Sequence, residues 1–169
     1  MQAEAIRLRE ATPDDARAVA DIWNPIIRDT AISFWPTERC ADEVSGIIRT
    51  RLSNGRAFLV AVRGERVLGF ATYDQFRGGA GYSRSMEHSI NAAPEARGHG
   101  VGRLLLRGIE DHARAAGHRL MIGGITASNT ASIGFHRAMG YVEWGRIPAA
   151  GWKFGEYHDL VFMGRDLQA

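Results

Sequence analysis

The chain has 169 residues, of which 45% are hydrophobic and 24% charged. These values are typical of one globular domain with a proper core, and they exclude a disordered or fibrous protein. The 21 basic and 19 acidic residues are scattered and give a formal net charge of only +2, so we expect no nucleic-acid partner. No segment approaches the roughly 20 apolar residues that cross a bilayer. The first seven residues lack a charged start followed by an apolar run, so we expect no secretion signal. Cys40 is the single cysteine, which excludes an internal disulfide and favours a cytoplasmic location.

The first half of the chain predicts a strand, two helices and a hairpin. Residues 6–10 alternate and predict a strand, and Thr12 with Pro13 starts a helix that runs to about residue 29. A second helix is expected from Pro36 to the Asn54-Gly55 pair, with Cys40 as an ordinary helix residue. Residues 57–62 and 67–73 predict the two strands of a hairpin.

The next strand, predicted for residues 82–92, has an unusually polar face. Ser85, Glu87, Ser89 and Asn91 share one face, whereas Met86, His88, Ile90 and Ala92 share the other. A helix over 101–116, a strand over 120–126, a helix over 129–139 and strands over 141–147 and 157–166 complete the chain. We find no repeat or linker and expect one domain over residues 1–169. The hairpin among alternating helices and strands predicts a mixed α/β (α+β) fold with a mixed sheet.

The turn between the polar strand and the long helix is rich in glycine. It reads Arg97-Gly98-His99-Gly100-Val101-Gly102, and such a turn can point several backbone N–H groups at a phosphate, or merely connect strand to helix. The nucleotide-binding P-loop is excluded because its lysine is missing, and the dinucleotide fingerprint because its glycine spacing differs.

Arg97, Gly100 and Gly102 match the pattern Arg/Gln-x-x-Gly-x-Gly/Ala, which resembles the pyrophosphate loop of the GNAT N-acetyltransferase superfamily. Within it, the chain is similar to the phosphinothricin and methionine sulfoximine acetyltransferase group. Further residues carry that resemblance: Glu87-His-Ser, Asn129-x-x-Ser132, His136-x-x-x-Gly140-Tyr141, Lys153-Phe-Gly155 and His158-Asp-Leu160. The resemblance implies a GNAT fold, with a central, mostly antiparallel sheet in which two parallel strands splay apart between flanking helices.

The resemblance also implies acetyl-CoA as co-substrate, without a metal. The residues expected to contact it are Ser89, Ile90, Asn91, Arg97, Gly98, His99, Gly100, Val101, Gly102, Asn129 and Ser132. The alternative role of Asn129 is that of a helix N-cap. Glu87 matches the general base of the family, and a backbone N–H near Asn91 would stabilise the oxyanion. His136 is expected either to act as an acid or base, or only to position CoA.

The resemblance also implies substrate-binding residues, which are aromatic and arginine side chains. They are Phe34, Trp35, Tyr73, Phe76, Arg77 and Arg84, with an arginine fork expected to hold a carboxylate. Relatives carry an arginine at the position of Ser83, so Arg84 would point to the opposite face of a strand. Trp152, Lys153 and Phe154 match a segment that shapes the site near a dimer interface, and we expect a homodimer.

The expected reaction is acetylation of the amino group of a small, amino-acid-like molecule of the phosphinothricin, methionine sulfoximine or methionine sulfone type. A polyamine, an aminoglycoside or a protein N-terminus is the alternative acceptor. A non-catalytic CoA-binding protein is the alternative from another class, since a fold alone does not determine activity.

Overall fold

The computed structural model describes residues 4–169, and Met1 to Ala3 lie outside the described part. The described residues form seven strands and four α-helices. The strands are β1 (Arg7–Glu10), β2 (Phe58–Arg63), β3 (Arg66–Gln75), β4 (Ser85–Ala92), β5 (Leu120–Thr126), β6 (Val142–Lys153) and β7 (Glu156–Asp166). The helices are α1 (Ala16–Asp29), α2 (Ala41–Ser53), α3 (Val101–Ala115) and α4 (Thr130–Ala138). The strands form one sheet in the order β1-β2-β3-β4-β5-β7-β6, which confirms the mixed α/β fold.

Helix α2 begins at Ala41, five residues after the predicted start at Pro36. The Cys40 backbone N–H donates to Oε2 of Glu43 at 2.8 Å, so Cys40 caps the helix instead of lying inside it. The preceding loop is tied to α1, because the side-chain amide of Asn24 bonds both the N–H and the C=O of Arg39. These bonds hold the chain outside the helix up to residue 40.

Two strands, β4 and β6, differ from their predicted bounds by three or more residues at one end. Strand β4 begins at Ser85 rather than residue 82, because residues 80–82 form a turn of 3₁₀ helix. Strand β6 extends to Lys153, six residues beyond the prediction. Its pairing with β7 shifts register twice and Ala149 has a φ of 53°, so the strand lacks the continuous alternation on which the prediction depended.

The sheet opens between its two parallel strands. Strands β4 and β5 pair only from Ser85 to Glu87 against Leu120 to Ile122. Beyond Glu87, β4 continues along β3, and β5 continues along β7. Ser89–Asn91 of β4 and residues 123–126 of β5 therefore turn one backbone edge toward a gap, as the family resemblance predicts.

The sheet separates two apolar cores. Helices α1 and α2 pack on one face against Phe58, Val60 and Phe70, while α3 packs on the other face through Leu105 and Ile109. The helices thus cover both faces of the sheet. Within residues 4–169, no helix is long and apolar enough to cross a membrane, and no group of three or more metal-ligating side chains comes together.

Candidate active site

A cavity of about 440 Å³ lies where β4 and β5 separate. Its volume falls within the range of small-molecule pockets, about 300–1,000 Å³. Both splayed strands, the end of α1, the 31–35 loop and the start of α4 form its walls. The lining residues are Trp23, Ile26, Ile32–Trp35, Glu87–Asn91, Gly123–Thr126, Asn129, Ser132, His136 and Leu160.

Glu87 lies on the α1 side of this cavity, with Oε1 of its carboxylate close to Gly124 of β5. In the described part of the chain, no basic side chain forms an ion pair with it, and burial raises its pKa above the ordinary glutamate value. Desolvation disfavours the charged carboxylate and so makes it a stronger base near neutral pH. A buried carboxylate with a perturbed pKa beside a cavity marks a candidate functional site.

Two consecutive glycines of β5 make room on both faces of the sheet. A Cβ on Gly124 would lie 3.0 Å from Oε1 of Glu87, and a Cβ on Gly123 would lie 3.0 Å from Nε2 of His88. Because successive side chains of a strand point to opposite faces, the two glycines leave space for a carboxylate on one side and for imidazoles on the other. A larger residue at either position would press on these side chains.

His136 reaches the cavity from α4 and contacts His88 of β4. The two rings are parallel, with centroids 5.1 Å apart and Nε2 atoms 3.2 Å apart. Both are buried, and burial lowers the pKa of His136 and lowers that of His88 to about 3. His88 was not predicted as a site residue. The alternation along β4 placed it with the core residues, and the sequence carries no signal for its contact with residue 136.

Asn129 and Ser132 lie together at the start of α4. The side-chain oxygen of Asn129 accepts a hydrogen bond from the Ser132 backbone N–H at 3.2 Å, so Asn129 is the N-cap of the helix. Its amide group still borders the cavity. Asn129 can therefore cap the helix and still contact a cofactor in the cavity.

The glycine-rich turn continues from the end of β4 and has the geometry of an anion cradle. Gly98 and Gly100 have φ values of 76° and 78°, and a Cβ at either would meet no heavy atom within 4 Å. The N–H of Leu104 bonds the carbonyl of Gly100 at the start of α3, which leaves the N–H groups of Val101 and Gly102 without helical acceptors. These open donors at a helix N-terminus suit a pyrophosphate.

Other residues of the turn make contacts within the protein itself. Nδ1 of His99 bonds the carbonyl of Arg97 at 2.9 Å, and the side chains of both residues are exposed. Gly102 lies against the ring of Phe135, where a Cβ would approach to 3.3 Å. Gly102 therefore also allows α3 and α4 to pack closely.

Phe34 and Trp35, which the family resemblance implies as substrate-binding residues, both line the cavity. Phe34 packs on Gly151, where there is no room for a Cβ, and stacks on His158 with centroids 6.0 Å apart. Lys153 fixes the same loop, because its buried ammonium donates to the carbonyls of Ile27 and Ser33. The end of β6 therefore supports one wall of the cavity.

Tyr73 does not line the cavity, contrary to its predicted role. It pairs with His88 and not with Glu87 in the β3–β4 register, and its hydroxyl bonds Nδ1 of His112 at 2.7 Å on the α3 side. Arg77 and Arg84 are exposed and are not among the lining residues, so the expected arginine fork is not assembled here. Phe76 packs edge-on against Phe162, with centroids 5.6 Å apart.

Arg39 is a further residue near the cavity that sequence reasoning missed. Its guanidinium lies 4.8 Å from the ring centroid of Trp23 and 4.4 Å from that of Trp35, and both rings line the cavity. Its Nε is buried without a hydrogen-bond partner among residues 4–169. Arginine between aromatic rings is a recognisable arrangement, but the residues are 16 and 4 positions apart, and only the fold brings them together.

Comparison with known proteins agrees with this geometry. The model of the acetyltransferase (GNAT) family matches residues 18–141. The chain is 34% identical to the L-amino acid N-acyltransferase MnaT of Escherichia coli, with 92% of this chain and 91% of the relative covered. It is 35% identical to an L-methionine sulfoximine/L-methionine sulfone acetyltransferase of Pseudomonas aeruginosa, with 95% and 94% covered.

A solved structure of a relative has the same fold. The phosphinothricin acetyltransferase of Sinorhizobium meliloti, in complex with AcCoA, superposes with a TM-score of 0.90 at 32% identity, covering 95% of this chain and 88% of the other. The same overall fold thus occurs in a protein whose structure was solved in complex with AcCoA. The chain belongs to the GNAT acetyltransferase family and is an N-acetyltransferase.

Proposed function

We propose that the protein transfers the acetyl group of acetyl-CoA to the amino group of a small, amino-acid-like molecule, with Glu87 as the general base. The observation that carries this proposal is the placement of Glu87. Its carboxylate has no ion-pair partner among the described residues and lies beside the gap between β4 and β5, and its pKa is raised by burial. A base in this position can accept a proton from an amine that attacks within the gap.

Acetyl-CoA supplies an activated acyl group as a thioester. The backbone edge of Ser89–Asn91 faces the gap without a partner strand, so it can pair with the amides of the pantetheine arm. The glycine-rich turn and the N-terminus of α3 would hold the pyrophosphate, with Arg97 adding positive charge. A β4 backbone N–H near Asn91 would stabilise the negative charge that develops on the carbonyl oxygen.

The acceptor must be a neutral amine when it attacks. Its nitrogen forms the new bond to the acyl carbon as the carbon–sulfur bond breaks, and CoA departs as a thiolate. The amine proton passes to Glu87, directly or through a water molecule. Burial of the carboxylate supports this transfer because it brings the pKa of Glu87 closer to neutral pH.

The lining of the cavity supports an amino-acid-like acceptor over a polycation. Ile26, Phe34, Trp35, Ile125 and Leu160 provide apolar surface for a side chain of moderate size. Glu87 is the only carboxylate among the described lining residues, so a polyamine or an aminoglycoside would find few counter-charges. The names of the relatives, which act on amino acids and methionine analogues, agree with this choice.

The test is release of CoA thiol from acetyl-CoA across a panel of amines. The panel contains methionine sulfoximine, methionine sulfone, phosphinothricin, ordinary amino acids, a polyamine and an aminoglycoside. We expect turnover of the amino acids or their analogues, and at least ten-fold lower kcat/KM with the polycations. Preferred turnover of a polycation would contradict the acceptor class, and tight CoA binding without turnover of any amine would support a non-catalytic protein.

We also propose that the protein forms a homodimer through the β6–β7 hairpin. Strand β6 is an edge of the sheet, and the hairpin exposes aromatic side chains at Trp144, Trp152, Phe154 and Tyr157. An exposed aromatic surface beside an edge strand favours association with another chain. Light scattering should give twice the mass of the 18.6 kDa chain, and Trp152→Glu should shift it toward the monomer. A monomeric parent protein would contradict this proposal.

A further inference from the structure

The hydrogen bonds of His136 determine which of its nitrogens carries a proton. Its Nδ1 lies 2.8 Å from the backbone carbonyl oxygen of Ser132. A carbonyl oxygen can only accept, so Nδ1 must carry the hydrogen in every protonation state that keeps this bond. In the neutral ring, Nε2 is then unprotonated and can only accept.

His88 supplies the matching donor. Its Nε2 is 3.2 Å from Nε2 of His136, so a neutral pair requires His88 to carry its hydrogen on Nε2. The other nitrogen of His88, Nδ1, is buried and has no partner among residues 4–169. In this arrangement Nδ1 of His88 carries no hydrogen, and both N–H groups of the pair have an acceptor.

Protonation of His136 would disrupt this arrangement. A positively charged His136 would donate from Nε2, and His88 would then have to move its own hydrogen to Nδ1. That N–H would be buried without an acceptor, which is energetically costly. Burial also disfavours protonation of both rings, since it lowers the pKa of each.

Among residues 4–169, no charged side chain of opposite sign contacts the pair. Tyr141 packs edge-on against both rings. Behind it lies Glu110, which forms ion pairs with Arg107 and Arg165. Glu87 is adjacent to His88 in sequence but faces the other side of the sheet. The remaining polar neighbour is the hydroxyl of Ser132, 3.3 Å from Nδ1 of His136.

We propose that His88 is a positioning residue that holds His136 as the neutral Nδ1–H tautomer, so that His136 shapes the cavity without protonating the departing thiolate. This inference rests on the proposed acetyl transfer. It decides between the two roles that the sequence left open for His136. The sulfur of CoA would then leave as the thiolate and gain its proton from solvent.

The first experiment uses NMR of the ligand-free protein with ¹⁵N-labelled histidine, recorded from pH 5.5 to 9. We expect His136 to remain neutral with Nδ1 protonated, and His88 to remain neutral with Nε2 protonated. A His136 imidazolium at neutral pH, or the Nε2–H tautomer, would overturn the inference. Because no acetyl-CoA or amine is present, this result is independent of whether the proposed function holds.

The second experiment compares His88→Gln with His112→Gln, a control on α3 outside the cavity. A glutamine at 88 can turn its amide oxygen to accept from Nε2 of a charged His136. We therefore expect the pKa of His136 to rise in His88→Gln and not in the control. An unchanged pKa would contradict the positioning role.

Turnover of the best amine then tests the consequence for catalysis. In the parent protein, kcat should not increase as the pH falls from 9 to 5.5, because no imidazolium forms at His136. An increase that coincides with protonation of His136 in the NMR titration would overturn the inference. If no amine is acetylated by the parent protein, the proposed function fails, while the NMR result still decides the tautomer.

Discussion

Gly124 of β5 faces the carboxylate of Glu87 across the gap between the parallel strands, and a methyl group on residue 124 would lie 3.0 Å from Oε1 of Glu87. The other atoms near that methyl group, on Leu160 and Phe162, are at ordinary contact distances of 3.6 and 3.7 Å. Only the end of a flexible side chain would have to move. The position of the base can therefore be changed with little effect on the core.

Gly124→Ala is expected to lower kcat while leaving stability nearly unchanged. Displacement of a reacting group by about 1 Å can cost roughly 100-fold in rate, and the added methyl group meets no rigid atom. Steady-state kinetics and urea unfolding check the two parts of this prediction. Gly134→Ala is the control for kcat, because a Cβ there meets no atom within 4 Å. It should leave kcat unchanged, and it should raise stability by about 1 kcal/mol because residue 134 lies inside α4.

Glu87→Gln should lower kcat by roughly 10²- to 10⁴-fold, the usual contribution of a general base. Burial raises the pKa of Glu87, so the acid limb of kcat/KM against pH should lie above the ordinary glutamate value. The variant should lose this limb and bind acetyl-CoA with unchanged affinity. A pH profile that is the same in parent and variant would remove Glu87 from the mechanism.

Gly100→Val should weaken acetyl-CoA binding for two reasons. Residue 100 has a φ of 78°, where a β-branched residue is strained, and the new side chain would enter the space expected for the pyrophosphate. Gly117→Val is a matched control, since its φ is 82° and it lies in open space after the end of α3. Calorimetry should show a higher Kd for the first variant only. Equal effects would indicate backbone strain alone.

The folded protein should lose stability in mild acid because of its buried imidazoles. His88 has a folded-state pKa lowered from 6.5 to about 3, so the unfolded chain binds more protons between these values. The free energy of unfolding is therefore unaffected by His88 above pH 6.5. Below that value it decreases as the pH falls, by about 1.4 kcal/mol per pH unit. Denaturant unfolding between pH 4 and 8 measures this slope. His88→Gln should have a shallower slope, and an equal slope would contradict the prediction.

Arg39→Met should raise KM for the amine more than KM for acetyl-CoA. The guanidinium contacts the faces of Trp23 and Trp35 at the cavity, and such contacts contribute about 0.5–2 kcal/mol. Without it, Trp35 would no longer be held in one position. Arg49→Met, on the exposed side of α2, is the control. Equal KM values for the amine in the two variants would exclude this role.

Much of the fold followed from local patterns. The helix of residues 101–115 and the β2–β3 hairpin were predicted because periodicity and turn residues act over a few positions. The bounds of α2 and β6 were wrong because they depend on distant partners. Asn24 holds the loop before α2, and β7 imposes the register shifts of β6.

The sequence by itself determined the family and the order of the motifs, including Glu87 and the glycine-rich turn, because the residue types and their spacing carry that information. Only the tertiary structure decided which side chains meet. It placed Tyr73 against His112 instead of in the cavity, and it joined His88 to His136 across 48 positions. The physical reason is that strand register and sheet order set these contacts, and both depend on long-range pairing that no local pattern encodes.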